Sequence, residues 1–341
     1  MKRLLSHAVW AVIALQIAAL AWIAGEREWI RATGATVWLR TAPVDPRDLF
    51  RGDYVQLEYD IGAPSAEVVA PVQEAWESKY SVVYAQLATD AGGIAKLQSL
   101  SVEPPTDGLF IRGRMGSGLP RNWRSGSSVQ YGIEKYFVPQ GAGYEIENRR
   151  GERDGWQTPM EVEVALSSTG TAVIKDYRWS GLGIRLDRLE EGQNNRNNTD
   201  TSQRRSPRLR VSLRNQTDKP LLLVGDAHHC AFSLVQIDRS NDGGNQSIPW
   251  AAHACHAWQL GALEYVVLAP EAIYSVEFDF AAPEWAVQGK EGPVELADFN
   301  QGWVQYRLVY SPPDVALPAG KLAVWQSAMQ TPAFGSSGRV D

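Results

Sequence analysis

The chain has 341 residues, enough for two domains with separate cores, and 44% of them are apolar, as in a globular protein. Its formal net charge of −6 makes nucleic acid a poor partner, because phosphates recruit Lys and Arg and no compact basic patch offsets the balance. Trp is frequent at 13 residues, and most of these sit within strand patterns where they would fill cores.

The chain opens "MKRLLSHAVWAVIALQIAALAWIAGEREW". Lys2 and Arg3 precede an apolar run over residues 4–24, interrupted by Ser6, His7 and Gln16. As a helix that run covers roughly 30 Å, the thickness of a bilayer core. Residues 1–25 are therefore read as a signal anchor that stays in the lipid. Cleavage near Ala19-Leu20-Ala21 is the alternative, but the apolar run is longer than an ordinary signal core. The basic start places the amino terminus in the cytoplasm and everything after Glu26 outside. The chain is thus expected to cross the membrane once, with its bulk on the far side.

Next comes "PVDPRDLFRGDYVQLEYDI". Pro43 and Pro46 remove two backbone donors, so no strand runs through this turn. Val55, Leu57, Tyr59 and Ile61 then alternate with polar residues, the pattern of a half-buried strand. The clustered charges are either the ion pairs of a corner or a shallow polar binding site around Asp48, Arg51, Asp53 and Tyr54. Further strands are expected over residues 36–41, 79–88, 108–115 and 127–138, with an interrupted helix over 65–80. In "VQYGIEKYFVPQGAGYEIE" the apolar parity shifts near Glu134 and Lys135, which implies a bulge or one helical turn there. Glu134 joins the candidate binding residues.

"RGDYVQLEY" resembles the pattern that names the GDYXXLXY family of bacterial membrane-anchored proteins, with Gly52, Asp53, Tyr54, Leu57 and Tyr59 at the named positions. "PVDPRDLF" and "YGIEKYFVPQGAG" also look like that family, and the resemblance covers roughly residues 22–179. It implies an amino-terminal membrane span, an exported β-rich domain and a setting beside multi-spanning membrane proteins, so the expected location is a bacterial inner membrane, crossed once, with the bulk of the chain in the periplasm. The family has no established catalytic residues to carry over.

"MEVEVALS" and "TAVIKDYRW" follow, joined by "STG" as a tight hairpin near Gly170. The β-rich domain is assigned residues 26–190. The polar stretch 191–207 has almost nothing to bury and reads as a flexible linker. Residues 208–341 contain seven or eight short alternating runs, the signature of an immunoglobulin-like β-sandwich. The expected fold is thus mainly β behind one amino-terminal transmembrane helix.

Both cysteines and four of the five histidines fall in "DAHHCAF" and "WAAHACHAW". In an oxidising compartment a Cys230–Cys255 disulfide is the default. The alternative is a metal site using His228, His229, His253 and His256, although the spacing matches no zinc motif. There is no G-x-S-x-G, H-E-x-x-H or G-x-x-x-x-G-K-[ST]. Two functions remain in view. The first is a non-catalytic binding or scaffold module for an integral membrane protein partner, without cofactor or nucleic acid. The second is an envelope enzyme or metal-binding module using the polar corner or the His/Cys cluster.

Overall fold

Ala, Leu and Ile dominate the first 24 residues and no proline interrupts them, so the chain enters one long helix, α1 (Lys2–Thr33, 32 residues). The computed structural model describes residues 2–41, 54–62, 64, 68, 72, 82–90, 92–115, 129–139, 146, 155–192, 205–226, 229–237, 245–251, 263–299, 304–312 and 322–340. From Trp10 to Thr33 the helix is long and apolar enough to cross a membrane, and none of its apolar window is covered by the rest of the chain. Trp22 and Trp29 are 76% and 71% exposed. Among the described residues, the last two turns touch the β structure: Ile30 is buried, Arg27 donates to the Ala172 carbonyl and Arg31 to the Lys175 carbonyl.

A single residue, Gly34, joins this helix to the first strand. Its N–H donates to the Ile30 carbonyl at 2.8 Å, ending the helix. A Cβ at this position would lie 2.6 Å from that carbonyl oxygen and 2.8 Å from the oxygen of Leu166, so only glycine fits.

The strands before the second core are β1 (Ala35–Arg40), β2 (Tyr54–Gln56), β3 (Val82–Thr89), β4 (Ala95–Ser101), β5 (Leu109–Met115), β6 (Val129–Gln130), β7 (Lys135–Phe137), β8 (Trp156–Gln157), β9 (Met160–Leu166) and β10 (Ala172–Trp179). They form the sheets β1-β9-β10, β4-β3-β5-β6 and β2-β7, while β8 joins a later sheet. Strand β9 is central, with β1 and β10 antiparallel on either side. Its residues Met160, Val162, Val164 and Leu166 enter the first core, with Val37, Leu39, Leu57, Val83 and Ile111. The expected β9–β10 hairpin is present: Ser167 N–H donates to the Thr171 carbonyl, and Gly170 takes φ +79°. The alternating face after the charged corner is buried as its pattern demanded, with Val55, Leu57, Tyr59 and Ile61 all at 4% exposure or less. Most of the expected helix over 65–80 lies outside the described residues.

The second core is enclosed by β11 (Leu182–Glu190), β12 (Arg208–Asn215), β13 (Leu221–Asp226), β14 (Phe232–Ile237), β15 (Asn245–Ile248), β16 (Leu263–Leu268), β17 (Ile273–Asp279), β18 (Val287–Gln288), β19 (Pro293–Val294), β20 (Gln305–Tyr310), β21 (Ala323–Val324), β22 (Met329–Gln330) and β23 (Phe334–Gly335). Three main sheets contribute: β17-β12-β11-β8, β16-β13-β21 and β15-β14-β20-β22, with β23 also on β20. One core unites them, centred on Phe232, Phe278, Phe280, Trp285, Tyr306 and Tyr310. Phe278 and Trp285 approach to 4.5 Å between ring centroids. Tyr310 ties β20 to β13, its hydroxyl donating to the Val224 carbonyl at 2.7 Å.

This is a three-sheet arrangement rather than the two-sheet sandwich expected of residues 208–341. Leu182, Ile184 and Leu186 of β11 lie in the second core, although they precede the expected linker. Strand β11 pairs along its length with β12, so residues 191–207 connect neighbouring strands of one sheet. Within that stretch, residues 193–204 lie outside the described residues.

Candidate functional site

The two motif stretches of the first half, "GDYVQLEY" and "YGIEKYFV", meet in space. Strand β2 pairs antiparallel with β7, Tyr54 opposite Phe137 and Gln56 opposite Lys135. The Leu57 N–H donates to the Glu134 carbonyl at 2.7 Å. Beyond the strands, two tyrosines exchange hydrogen bonds across the gap. The Tyr59 hydroxyl donates to the Ile133 carbonyl at 2.9 Å, and the Tyr131 hydroxyl donates to the Ile61 carbonyl at 2.8 Å. Burial and the nearby Glu134 carboxylate both push the Tyr131 phenol above its ordinary range.

Glu134 itself serves the turn. Its Oε1 accepts the Tyr131 N–H and its Oε2 accepts the Gly132 N–H at 2.9 Å. Both carboxylate oxygens are therefore engaged by backbone donors, the geometry of a cap. The expected break in β pairing falls at residues 131–134, where Gly132 has φ +78°. Of the other corner residues, Asp48, Arg51 and Asp53 lie outside the described residues, and Tyr54 is placed only by its backbone in β2.

A second polar cluster, not foreseen from sequence, joins the two cores. Arg40 and Arg178 stand opposite Glu161 in the register of β1, β9 and β10. Arg40 Nη2 donates to Glu161 Oε1 at 2.7 Å, and Arg178 Nε donates to Glu161 Oε2 at 2.7 Å. Arg178 lies 4.0 Å from the Trp38 ring centroid. Arg40 also donates to the Ala328 carbonyl and lies 6.0 Å from the Trp325 ring centroid, so the carboxy-terminal segment covers it. Nearby, Ser327 donates to Asp90 at 2.9 Å, while the other Asp90 oxygen accepts the N–H groups of Gly92 and Ile94. Asp60 sits within reach of Arg40 and Arg307; burial pushes its carboxyl above the usual range, and the two guanidiniums pull it back in part.

With both oxygens of Glu161 held by guanidinium groups and little solvent around it, this carboxylate is placed to join strands, not to accept a proton from a substrate. The alternation of "MEVEVAL" could have revealed which face Glu161 occupies. What the alternation does not carry is that residues 325–328 return to cover that face.

The His/Cys cluster is only partly described. His228, His253, His256 and Cys255 lie outside the described residues. His229 has φ 55° and its ring is stacked at 6.4 Å from that of Trp285. It borders a small, mostly apolar hollow with Leu223, Phe232, Tyr274 and Tyr310. Among the described residues no group of three or more His, Cys, Asp or Glu could hold a metal ion.

No curated protein and no solved structure matches the chain. Residues 16–176 match the family described as GDYXXLXY protein, a span that runs from the later half of α1 across the first core and into β10. Over those residues the match to the GDYXXLXY family bears out the resemblance read from the motifs.

Proposed function

We propose that this is a single-pass envelope protein whose exported part is a non-catalytic binding or scaffold module for an integral membrane partner. The observation that carries the reading is α1: an apolar helix left uncovered by its own chain, joined to the first strand by Gly34 alone. Such a surface is stable in lipid and costly in water. Lys2 and Arg3 at its start favour a cytoplasmic amino terminus, which puts the β structure in the periplasm of a bacterial inner membrane. The family's tyrosines support a structural role for the signature, since Tyr59 and Tyr131 spend their hydroxyls on internal carbonyls.

A Cys230–Cys255 disulfide belongs to the same reading, as the default for two cysteines in an oxidising compartment. The test is affinity purification of the full chain from detergent-solubilised membranes, after protease protection has placed its carboxy terminus. A stoichiometric multi-spanning protein is the expected companion. Recovery of the chain alone from every detergent tried would count against the scaffold.

A further inference from the structure

We propose that the two lobes, one around each core, turn against each other about a hinge at Pro159 and Ser180-Gly181, and that residues 325–328 of the second lobe are the latch that holds them shut. The inference goes beyond the membrane reading and does not depend on it.

The chain crosses between the lobes twice in one place. Strands β9 and β10 belong to the first lobe and β8 and β11 to a sheet of the second, so Thr158-Pro159 and Ser180-Gly181 are crossings that run side by side. The strands form one ribbon through both lobes, with Met160 opposite Trp179 on one side and Gln157 opposite Ile184 on the other. Between these pairs two residues face four, an irregularity of the kind that bends a strand. Pro159 has no N–H to give, and the Ser180 N–H, which donates to the Pro159 carbonyl at 2.8 Å, links the two crossings. The Thr158 hydroxyl is held by Gln216 of the second lobe at 2.8 Å, which leaves the bending to Pro159, Ser180 and Gly181. Residues 147–154, where the chain first passes between the lobes, lie outside the described residues.

The packing permits the turn. Each hydrophobic core is drawn from its own side of these crossings, the first from residues up to Trp179 and the second from Leu182 onward. No apolar core is shared, and lobes that meet through polar groups move against each other unless something fastens them.

The fastening lies between β21 and β22. Its ends belong to the second lobe: the Trp325 N–H donates to the Leu222 carbonyl of β13, and Met329 pairs with Tyr310 of β20. Its middle reaches the first lobe, where Arg40 donates to the Ala328 carbonyl and the Ser327 hydroxyl donates to Asp90 Oδ2 at 2.9 Å. Ser327 and Arg40 are both buried in the closed form. Arg40 Nε is buried too and finds no acceptor among the described residues. Closure thus leaves one guanidinium donor unmade, and water satisfies it once the lobes part. That cost offsets part of what the latch contributes and keeps the open form within reach.

The experiment uses the full chain in nanodiscs, with spin-labelled non-natural amino acids in place of Ser168 and Arg188. Both positions are exposed, and each lies about 20 Å along the ribbon from the crossings, in opposite directions. Pulsed dipolar spectroscopy then reads the bend as a distance between the labels. Ser327→Ala loosens the latch by removing one hydroxyl, while Asp90 keeps its bonds to the Gly92 and Ile94 N–H groups. Gly92→Cys with Ser327→Cys locks it, since a Cβ at residue 92 would stand 3.0 Å from Ser327 Oγ, close enough for a disulfide. The native chain should show a main distance and a minor second one. Ser327→Ala should raise the ratio of second to first about tenfold. The oxidised double-cysteine chain should lose the second distance. One unchanged distance in every folded form shows a single rigid block, and a second distance that survives the lock places the motion elsewhere; either overturns the proposal. Should Ser327→Ala fail to fold, the native and locked chains decide: a minor distance that the lock removes supports the hinge, and identical distributions overturn it.

Discussion

Arg40 and Glu161 meet at 2.7 Å with 6% and 3% of their side chains exposed, and the Ala328 carbonyl closes over the arginine from the other lobe. An ion pair so far from water is a poor source of net stability but an expensive thing to break, because the surviving charge is left without its partner. Glu161→Ala should cost about 3–5 kcal/mol. Arg178→Ala removes a partner that is 44% exposed and should cost about 1 kcal/mol or less. Urea denaturation of the detergent-solubilised chain measures both. Equal effects for the two variants would mean that Glu161 is better hydrated than its contacts indicate.

The reciprocal tyrosines make a second prediction. Tyr59→Phe keeps the ring in the core and leaves the Ile133 carbonyl without its donor; Tyr131→Phe does the same to Ile61. Each should cost about 1–3 kcal/mol, the penalty for a buried acceptor left unmade. The two bonds fasten the same pair of segments, so the double variant should cost less than the sum. Strict additivity would show that the segments are held independently.

Glu134 separates a cap from a catalytic acid. Glu134→Ala exposes two backbone donors and should lower stability by about 1–2 kcal/mol, while Glu134→Gln retains an acceptor oxygen and should recover most of it. Rescue by glutamine in thermal denaturation supports the cap. Partner recovery lost in the glutamine variant at unchanged stability would instead point to a role for the charge.

How much of this was legible in the sequence depends on how local the cause is. Val55, Leu57, Tyr59 and Ile61 announced their buried face because alternation is a property of one strand. The turn at Gly132 and Glu134 announced itself by a change of parity over a few residues. Strand β11 did not, because Arg185, Asp187, Arg188 and Glu190 make it look like solvent-facing chain until Arg208 and Arg210 of β12 are set beside it. Glu161 was hidden for a stronger reason. Its cover comes from Ala328, 288 residues from Arg40, and no local pattern encodes a contact at that separation. The candidate site suffered most: the charges of Asp48, Arg51 and Asp53 drew attention to the corner, while the buried charges that join the lobes sit singly within ordinary strands.

Closing the loop between Cys230 and Cys255 would remove conformational freedom from the unfolded chain, worth about 3 kcal/mol for a loop of this size. Cys255→Ser should lower the urea midpoint by a corresponding amount, and reductant should do the same to the native chain without affecting the variant. Two thiols titrating in the unreduced, unfolded protein would rule the bridge out.

Asp60 makes stability depend on pH in a direction opposite to the usual salt-bridged carboxylate. Burial raises its folded value above 3.8, more than Arg40 and Arg307 lower it. Between the unfolded and folded values the native chain holds a proton that the unfolded chain has released, so rising pH favours unfolding through this group. Its contribution is fully present below the unfolded value and is lost as pH climbs through the folded one. Asn at this position cannot ionise and has no such slope. The stability of Asp60→Asn relative to the native chain should therefore increase as pH rises from about 3.8, and level off once the folded carboxyl has ionised. Urea midpoints measured across that range give the difference directly. A difference that stays flat, or falls with pH, would show that the guanidiniums of Arg40 and Arg307 outweigh burial at this carboxyl.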